Sequence, residues 1–275
     1  MTYQEFKEQI YSSVAARCNQ SAQVHISTFK KNNGITLDGL VITDEQNPIT
    51  PTLYLNDYYP MVTKGLSIDE ITERILSVYY QAKNTPTFDP DILSDFSAIK
   101  DKIIFKLVNK KSNLDILRDV PYMDYLDLAI IFAIVLPIGE ELGTILIHNN
   151  FLEDWSLSKE DLFEYAKINT YQLFRPEMTP IESLLSDMIS FEDQELFGDL
   201  KPAYPMFVLS NQKRINGAGV ICYPDLLKNF SETLNCDFYI LPSSIHEVIV
   251  IPMDPSMDID ELTEMVQQVN HTQVA

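Results

Sequence analysis

Glycine is scarce in this chain. Eight glycines in 275 residues make about 3%, against an average usage near 7%, so a Gly-rich phosphate cradle has little material. Cysteine is sparser still. Cys18, Cys222 and Cys236 are odd in number and far apart, and neither a disulfide framework nor a zinc spacing can be read from them. A reducing, cytoplasmic compartment of the bacterial kind is expected. Cations are few, with 20 Lys and Arg against 40 Asp and Glu and a net charge of −20. A protein that grips a phosphate backbone needs clustered cations to displace counterions, so nucleic-acid backbone binding is excluded.

Long apolar runs are missing too. The longest, LAIIFAIVLPI at 128–138, would cross about half of a ~30 Å hydrocarbon core as a helix. Residues 1–20 lack the apolar segment of a signal peptide. No membrane partner is expected. Only four histidines occur, His25, His148, His246 and His271, none in a His-x-x-x-His or His-Glu-x-x-His spacing. No metal and no cofactor is expected.

What is present suits a folded chain. Apolar residues make up 45% and aromatics 11%, enough for a substantial core. Thr2 and Glu5 can form a capping box, and Tyr3, Phe6, Ile10 and Val14 follow at helical spacing. Asn32-Asn33-Gly34 between VHISTF (24–29) and ITLDGLVI (35–42) signals a hairpin. TPTLYLN (50–56) reads as a strand. The helix at 67–82 is expected to bury Ile68, Ile71, Ile75, Val78 and Ala82.

Further on, a strand at 102–108 and a short helix near 112–118 precede a hairpin of 127–136 with 144–149. The apolar, β-branched run in that hairpin predicts a central strand flanked on both sides. Helices follow near 158–171 and 180–189. The last piece reads as strand 206–210, strand 217–223, helix 225–234 capped by Asp225, strands 237–242 and 246–252, and helix 258–270.

The fold class is α+β: antiparallel or mixed sheet with packed helices, in three subdomains at 1–85, 92–189 and 205–275. The boundaries are KNTPTFDPD (83–91), with two prolines and no helical or strand period, and SFEDQELFGDLKPAYP (190–205), acidic and then Pro-rich. Three strand-to-capped-helix units, with starts at Ser67…Glu70, Ser158…Asp161 and Asp258…Glu261, are either a worn internal repeat or independent uses of one capping rule.

Charge divides unevenly. Residues 1–118 hold 13 basic and 14 acidic side chains, a net of −1; residues 119–275 hold 7 and 26, a net of −19. Lys100, Lys102, Lys106, Lys110 and Lys111 crowd one stretch, as a solvated face or a docking patch.

Candidate chemistry is thin. Ser244 and His246 stand two apart in LPSSIHEVIVIP (241–252), which in a strand puts both on one face and Glu247 on the other. With a carboxylate from elsewhere they could form a nucleophile and base, although no Gly-x-Ser-x-Gly elbow surrounds either serine. His148 and Asn149 end a strand ahead of Trp155, the only tryptophan, where a loop site or local hydrogen bonding would both fit. Convergence of His148, Asn211 and His246 would mark a site. Gly217 and Gly219 resemble half of a dinucleotide fingerprint but lack its third glycine, and a closely packed strand suits them better. Asp124 and Asp127 read as the solvated entry to the apolar strand.

The segments KNNGITLDGLVI, PTLYLNDYY, DLAIIF, TILIHNNFLEDW, VLSNQKRINGAGVICYPDLL, LPSSIHEVIVIP and VNHTQVA together resemble a domain-of-unknown-function family. Its members are conserved hypothetical proteins, mainly of anaerobic gut bacteria. The resemblance spans nearly the whole chain and implies a bacterial, cytoplasmic protein. It carries over no catalytic residue, and it implies a C-terminal extension beyond the VNHTQVA segment that is missing here.

The sequence thus points to a non-enzymatic binding or interaction protein with an acidic second half. The binding candidates are His148, Asn149, Asn211 and Glu247, and a protein partner suits them better than a small molecule. The alternatives are a hydrolase using Ser244 and His246, and a mimic of nucleic acid built from a contiguous acidic face.

Overall fold

A computed structural model describes residues 1–19, 21–43, 51–83, 90–138, 141–188 and 204–272. The two expected boundary stretches fall largely outside the described residues. The chain divides into two compact units, residues 1–93 with 136–143 and residues 94–135 with 144–275.

In the first unit, α1 (Tyr3–Arg17) starts with the expected capping box between Thr2 and Glu5 and buries Phe6, Ile10 and Val14. Strands β1 (Gln23–Lys30) and β2 (Thr36–Thr43) form the expected antiparallel hairpin. Its turn places Asn33 at φ 60° and Gly34 at φ 71°, the left-handed region that Asn and Gly tolerate best. The TPTLYLN segment departs from expectation. Only β3 (Leu53–Tyr54) is strand, paired with β2, and α2 (Leu55–Thr63) begins at once. An apolar alternation this short serves a strand or a helix entry equally, and Tyr58, Tyr59, Met61 and Val62 of α2 pack on the core. Helix α3 (Ile68–Lys83) buries Ile71, Thr72, Ile75, Leu76 and Tyr79. The expected Val78 is instead exposed, because the inward face follows the i, i+4, i+8 row from Ile71 through Ile75 to Tyr79.

In the second unit, α4 (Phe96–Ile99) precedes β4 (Ile103–Asn109), α5 (Leu114–Leu117) and β5 (Tyr122–Tyr125), followed by β6 (Leu128–Ile138) and β7 (Glu141–Leu146), of which residues 136–143 belong to the first unit. The β6 strand pairs with β4, β5 and β7. It is central, as its unbroken apolar run requires, and residues 129–136 are all buried. One face of this sheet, through Phe105 and Phe132, meets Phe163. The other carries Val108, Ala129 and Ile131 against Leu117 and Val120.

Helices α6 (Asn149–Trp155), α7 (Lys159–Leu173) and α8 (Ile181–Met188) follow, with β8 (Pro176–Pro180) between the last two. The inward face of α7 is Leu162, Ala166, Asn169 and Thr170. Its polar members tie down the β4 backbone: Asn169 donates to the Ile103 carbonyl at 3.0 Å, and the Thr170 hydroxyl accepts the Phe105 N–H at 3.0 Å. The remaining elements are β9 (Phe207–Asn211), a 3-10 turn at Gly217–Cys222, α9 (Leu226–Leu234), β10 (Phe238–Pro242), β11 (Val248–Pro252) and α10 (Ile259–Thr272). They build an antiparallel sheet of order β10-β11-β9-β8. Strand β8, from before the 190–205 stretch, pairs with β9 from after it.

Two local expectations change here. Residues 217–223 are a buried 3-10 turn and not a strand, since Gly217, Ala218 and Gly219 are small enough for the turn to settle onto its neighbours. Asp225 does not cap α9 with its side chain and stands at φ 57°, and the expected buried stripe Leu226, Leu227, Phe230 and Leu234 is only half-buried.

The three capped starts share their chemistry. Glu70 N–H donates to Ser67 Oγ, Asp161 N–H to Ser158 Oγ and Asp260 N–H to an Asp258 oxygen. Their strands differ in setting. β3 is a two-residue edge, whereas β11 lies between β10 and β9. An α-helix intervenes after β3 and β7, but none follows β11 before α10.

Candidate functional site

Two loops meet at one end of the four-stranded sheet. The first, residues 211–217, leaves β9; the second, residues 243–247, joins β10 to β11. They bring together Asn211, Ser244, His246 and Glu247. They also add Gly217, read from the sequence only as a closely packed strand glycine, and Arg214, Asn216 and Ser210, which sequence reasoning passed over.

The buried Asn211 organises the first loop. Its Nδ2 donates to the Ile215 carbonyl at 2.7 Å, and its Oδ1 accepts the N–H groups of Lys213 at 3.1 Å and Ile215 at 3.3 Å. With these bonds the loop holds Arg214 at φ 55° and Asn216 at φ 49°. Asn tolerates that region, whereas a side chain such as that of Arg214 pays about 1–2 kcal/mol for it. Gly217 then passes so close to its neighbours that a Cβ would lie 2.1 Å from Ser210 Oγ and 2.3 Å from the His246 carbonyl oxygen. Ser210 Oγ donates to that same carbonyl at 2.6 Å.

Ser244 and His246 sit in the second loop, before β11 begins, so the alternation of a strand does not set their directions. The Ser244 hydroxyl accepts the backbone N–H of His246 at 3.0 Å, a local turn bond of the kind serines favour after a proline. The His246 Nδ1 accepts the Asn216 backbone N–H at 3.2 Å. Both side chains are thus joined to backbone, and the imidazole bond clamps the second loop to the first.

Arg214 is the charged centre of the cluster. Its guanidinium stands 3.5 Å from Glu177 at the start of β8 and 3.9 Å from Glu247. Both contacts exceed the ~2.7–2.9 Å of a charge-assisted hydrogen bond. The Ser243 hydroxyl donates to Glu247 at 3.4 Å.

The other candidates lie elsewhere in the second unit. His148 is exposed and precedes α6 without a side-chain cap bond. Asn149 donates its side chain to the Arg118 carbonyl at 3.3 Å and its N–H to the Asp119 carbonyl at 3.0 Å. Trp155 is buried against Phe96 and Phe151. Asp124 pairs with Lys110 at 2.5 Å, and that bond raises the ammonium pKa. The crowded lysine stretch therefore already uses one of its charges within the fold. The three thiols are free and half-buried, and burial pushes Cys222 up to about 12. Among the described residues, no three His, Cys, Asp or Glu side chains gather as metal ligands would. No helix among them is long and apolar enough to cross a membrane.

In the first unit, a groove is lined by Glu5, Glu8, Gln9, Ser12, Ser13, Ile68 and Asp69. Its three carboxylates already have partners, Glu5 in the cap of α1, Glu8 with the Gln4 side chain and Asp69 with Arg17.

Fold and site together describe an α+β protein with three antiparallel sheets among the described residues, in which a strained polar loop platform stands at one sheet end. The chain belongs to DUF5688, a family of unknown function whose model matches residues 3–275. No curated protein and no solved structure matches it.

Proposed function

We propose that the chain is a cytoplasmic, non-enzymatic binding protein that engages a protein partner through the 211–217 and 243–247 loops. One observation carries this reading: Arg214 is presented from a left-handed backbone and is contacted only loosely by Glu177 and Glu247. Strain of this kind persists where the surroundings over-determine it, and such sites are enriched in recognition and catalysis. The fork of Arg214 keeps donors for an incoming carboxylate. The −19 charge of residues 119–275 disfavours non-specific anion binding around it.

The hydrolase reading has less support. Ser244 and His246 are near in space, but each is bonded to backbone, and a nucleophile needs its hydroxyl against the imidazole.

Partner capture at low salt, compared between the wild type and Arg214→Ala, tests the proposal. A partner retained by the wild type and lost with the variant supports it. Turnover of p-nitrophenyl acetate that Ser244→Ala abolishes would replace it with the hydrolase.

A further inference from the structure

The end of α7 adjoins the loop platform and carries an exposed apolar row. Ile168 is 60% exposed and Tyr171 40%. Ile168 and Tyr171 are three apart and share one helix face, opposite the buried Leu162, Ala166, Asn169 and Thr170. Tyr171 is anchored, with its ring edge-on to Tyr223 at 5.4 Å.

Two cations border this row. The Arg175 guanidinium lies 4.9 Å from the Tyr171 ring centroid, and the Lys213 ammonium lies 5.7 Å from that of Phe174. The Gln212 N–H donates to the Arg175 carbonyl at 3.0 Å, which brings Lys213 beside Arg175. Among the described residues neither cation forms an ion pair, whereas Arg214 next to them has two carboxylates within reach. Residues 119–275 contain seven basic side chains, and three of them, Arg175, Lys213 and Arg214, meet here.

We propose that this face docks an acidic protein segment that also carries apolar side chains. Its carboxylates would pair with Arg175 and Lys213, and its apolar groups would cover Ile168 and Tyr171. Charge complementarity selects this occupant: the row is apolar, the one carboxylate a turn before it, Glu164, is already paired with Lys167, and its end at the loop platform is bordered by cations in a half of the chain that is otherwise strongly acidic. Distant carboxylates oppose it little at physiological salt, where the screening length is about 8 Å. Anchored aromatic and guanidinium groups are also the residue types that dominate binding energy at interfaces. The inference rests on the binding-protein reading and names the chemistry of its partner.

The test pans a random 12-residue displayed peptide library on the full chain. Enriched peptides are expected to combine Asp or Glu with aromatic or aliphatic residues. A synthetic copy of the best binder should lose about tenfold in affinity, or about 1.4 kcal/mol, for the double variant Arg175→Glu with Lys213→Glu. It should bind Lys228→Glu, altered on exposed α9, like the wild type. Both charge variants should melt as the wild type does, since the three altered side chains are exposed. No enrichment, enrichment without acidic residues, or equal binding by the double variant would overturn the proposal. A lysate partner held equally by wild type and double variant would leave the binding function standing and remove this surface from it.

Discussion

Asn216 donates its backbone N–H to Nδ1 of His246 at 3.2 Å, so the imidazole holds one loop against another. Asn216 is also one of two left-handed residues in that loop, and the bond helps keep it there. Replacing His246 with Ala removes the acceptor. The expected loss is about 1 kcal/mol of stability, read from urea unfolding with an unchanged m-value. Ser244→Ala, which removes only a turn bond, should cost less. A His246→Ala protein as stable as the wild type would show that the clamp contributes nothing.

Gly217 is held by space and not by backbone angle. A Cβ there would overlap Ser210 Oγ and the His246 carbonyl, and both atoms are already bonded to each other. Gly217→Ala should therefore destabilise by about 2 kcal/mol, in the range of overpacking. Gly65 has open space around it but stands at φ 93°, so Gly65→Ala should act through backbone strain alone. Thermal unfolding of the two variants separates the mechanisms, because adding Ser210→Ala should relieve part of the first and none of the second.

The centre of the β4-β6-β5 sheet is the firmest prediction. Ile131 is buried on β6, between β4 and β5, and packs with Val108, Leu117 and Val120. Ile131→Asp places an unpaired carboxylate there at a cost of several kcal/mol, comparable with a whole domain's ~5–15 kcal/mol. The variant should not accumulate as soluble protein, as judged by the soluble fraction after expression. A soluble, cooperatively unfolding variant would refute the central placement.

Acid and alkali should both weaken the first unit. Lys7 Nζ stands 2.8 Å from Asp38, and Thr28 donates to the same carboxylate at 3.0 Å. The bond from Lys7, and secondarily that from Thr28, holds the Asp38 carboxyl below its usual range. The folded state then binds fewer protons than the unfolded one. This contribution is complete above about pH 4 and disappears as pH falls through the depressed value. Burial, with the Asp38 charge beside it, pushes the Tyr3 phenol up to about 12. That contribution is present below about pH 10 and is lost as pH rises through 12. Urea midpoints measured against pH should show both limbs. Asp38→Asn should flatten the acid limb, and Tyr3→Phe the alkaline one.

Much of the architecture was legible because it rests on local chemistry. The Thr2, Ser67 and Ser158 caps need only residues three places apart, and the Asn33-Gly34 turn needs only φ above zero. The β6 strand announced itself through eleven apolar residues without alternation. The misreadings share a cause: TLYLN and GAGVICY are short segments whose pattern fits two conformations, and contacts far away in sequence chose between them. The site was half legible. Asn211, His246 and Glu247 stood out as polar residues near strand ends. Arg214 did not, because an arginine in a loop carries no signal until Glu177 of β8 and Glu247 of the 243–247 loop come within reach.

Composition and local pattern by themselves determined the α+β class, the helix starts, the hairpins and the central strand, since each depends on interactions within a few residues or on the burial of an apolar run. Only the tertiary structure decided that Ser244 and His246 turn to backbone partners, that Gly217 has no room for a side chain, and that Arg175 and Lys213 border one exposed row. The Asn216–His246 bond, the His246 carbonyl over Gly217 and the Arg175–Lys213 border join residues about 30 or more places apart, and chain closure through the β9 and β11 strands sets their distances, whereas the Ser244 bond to the His246 N–H is a local turn.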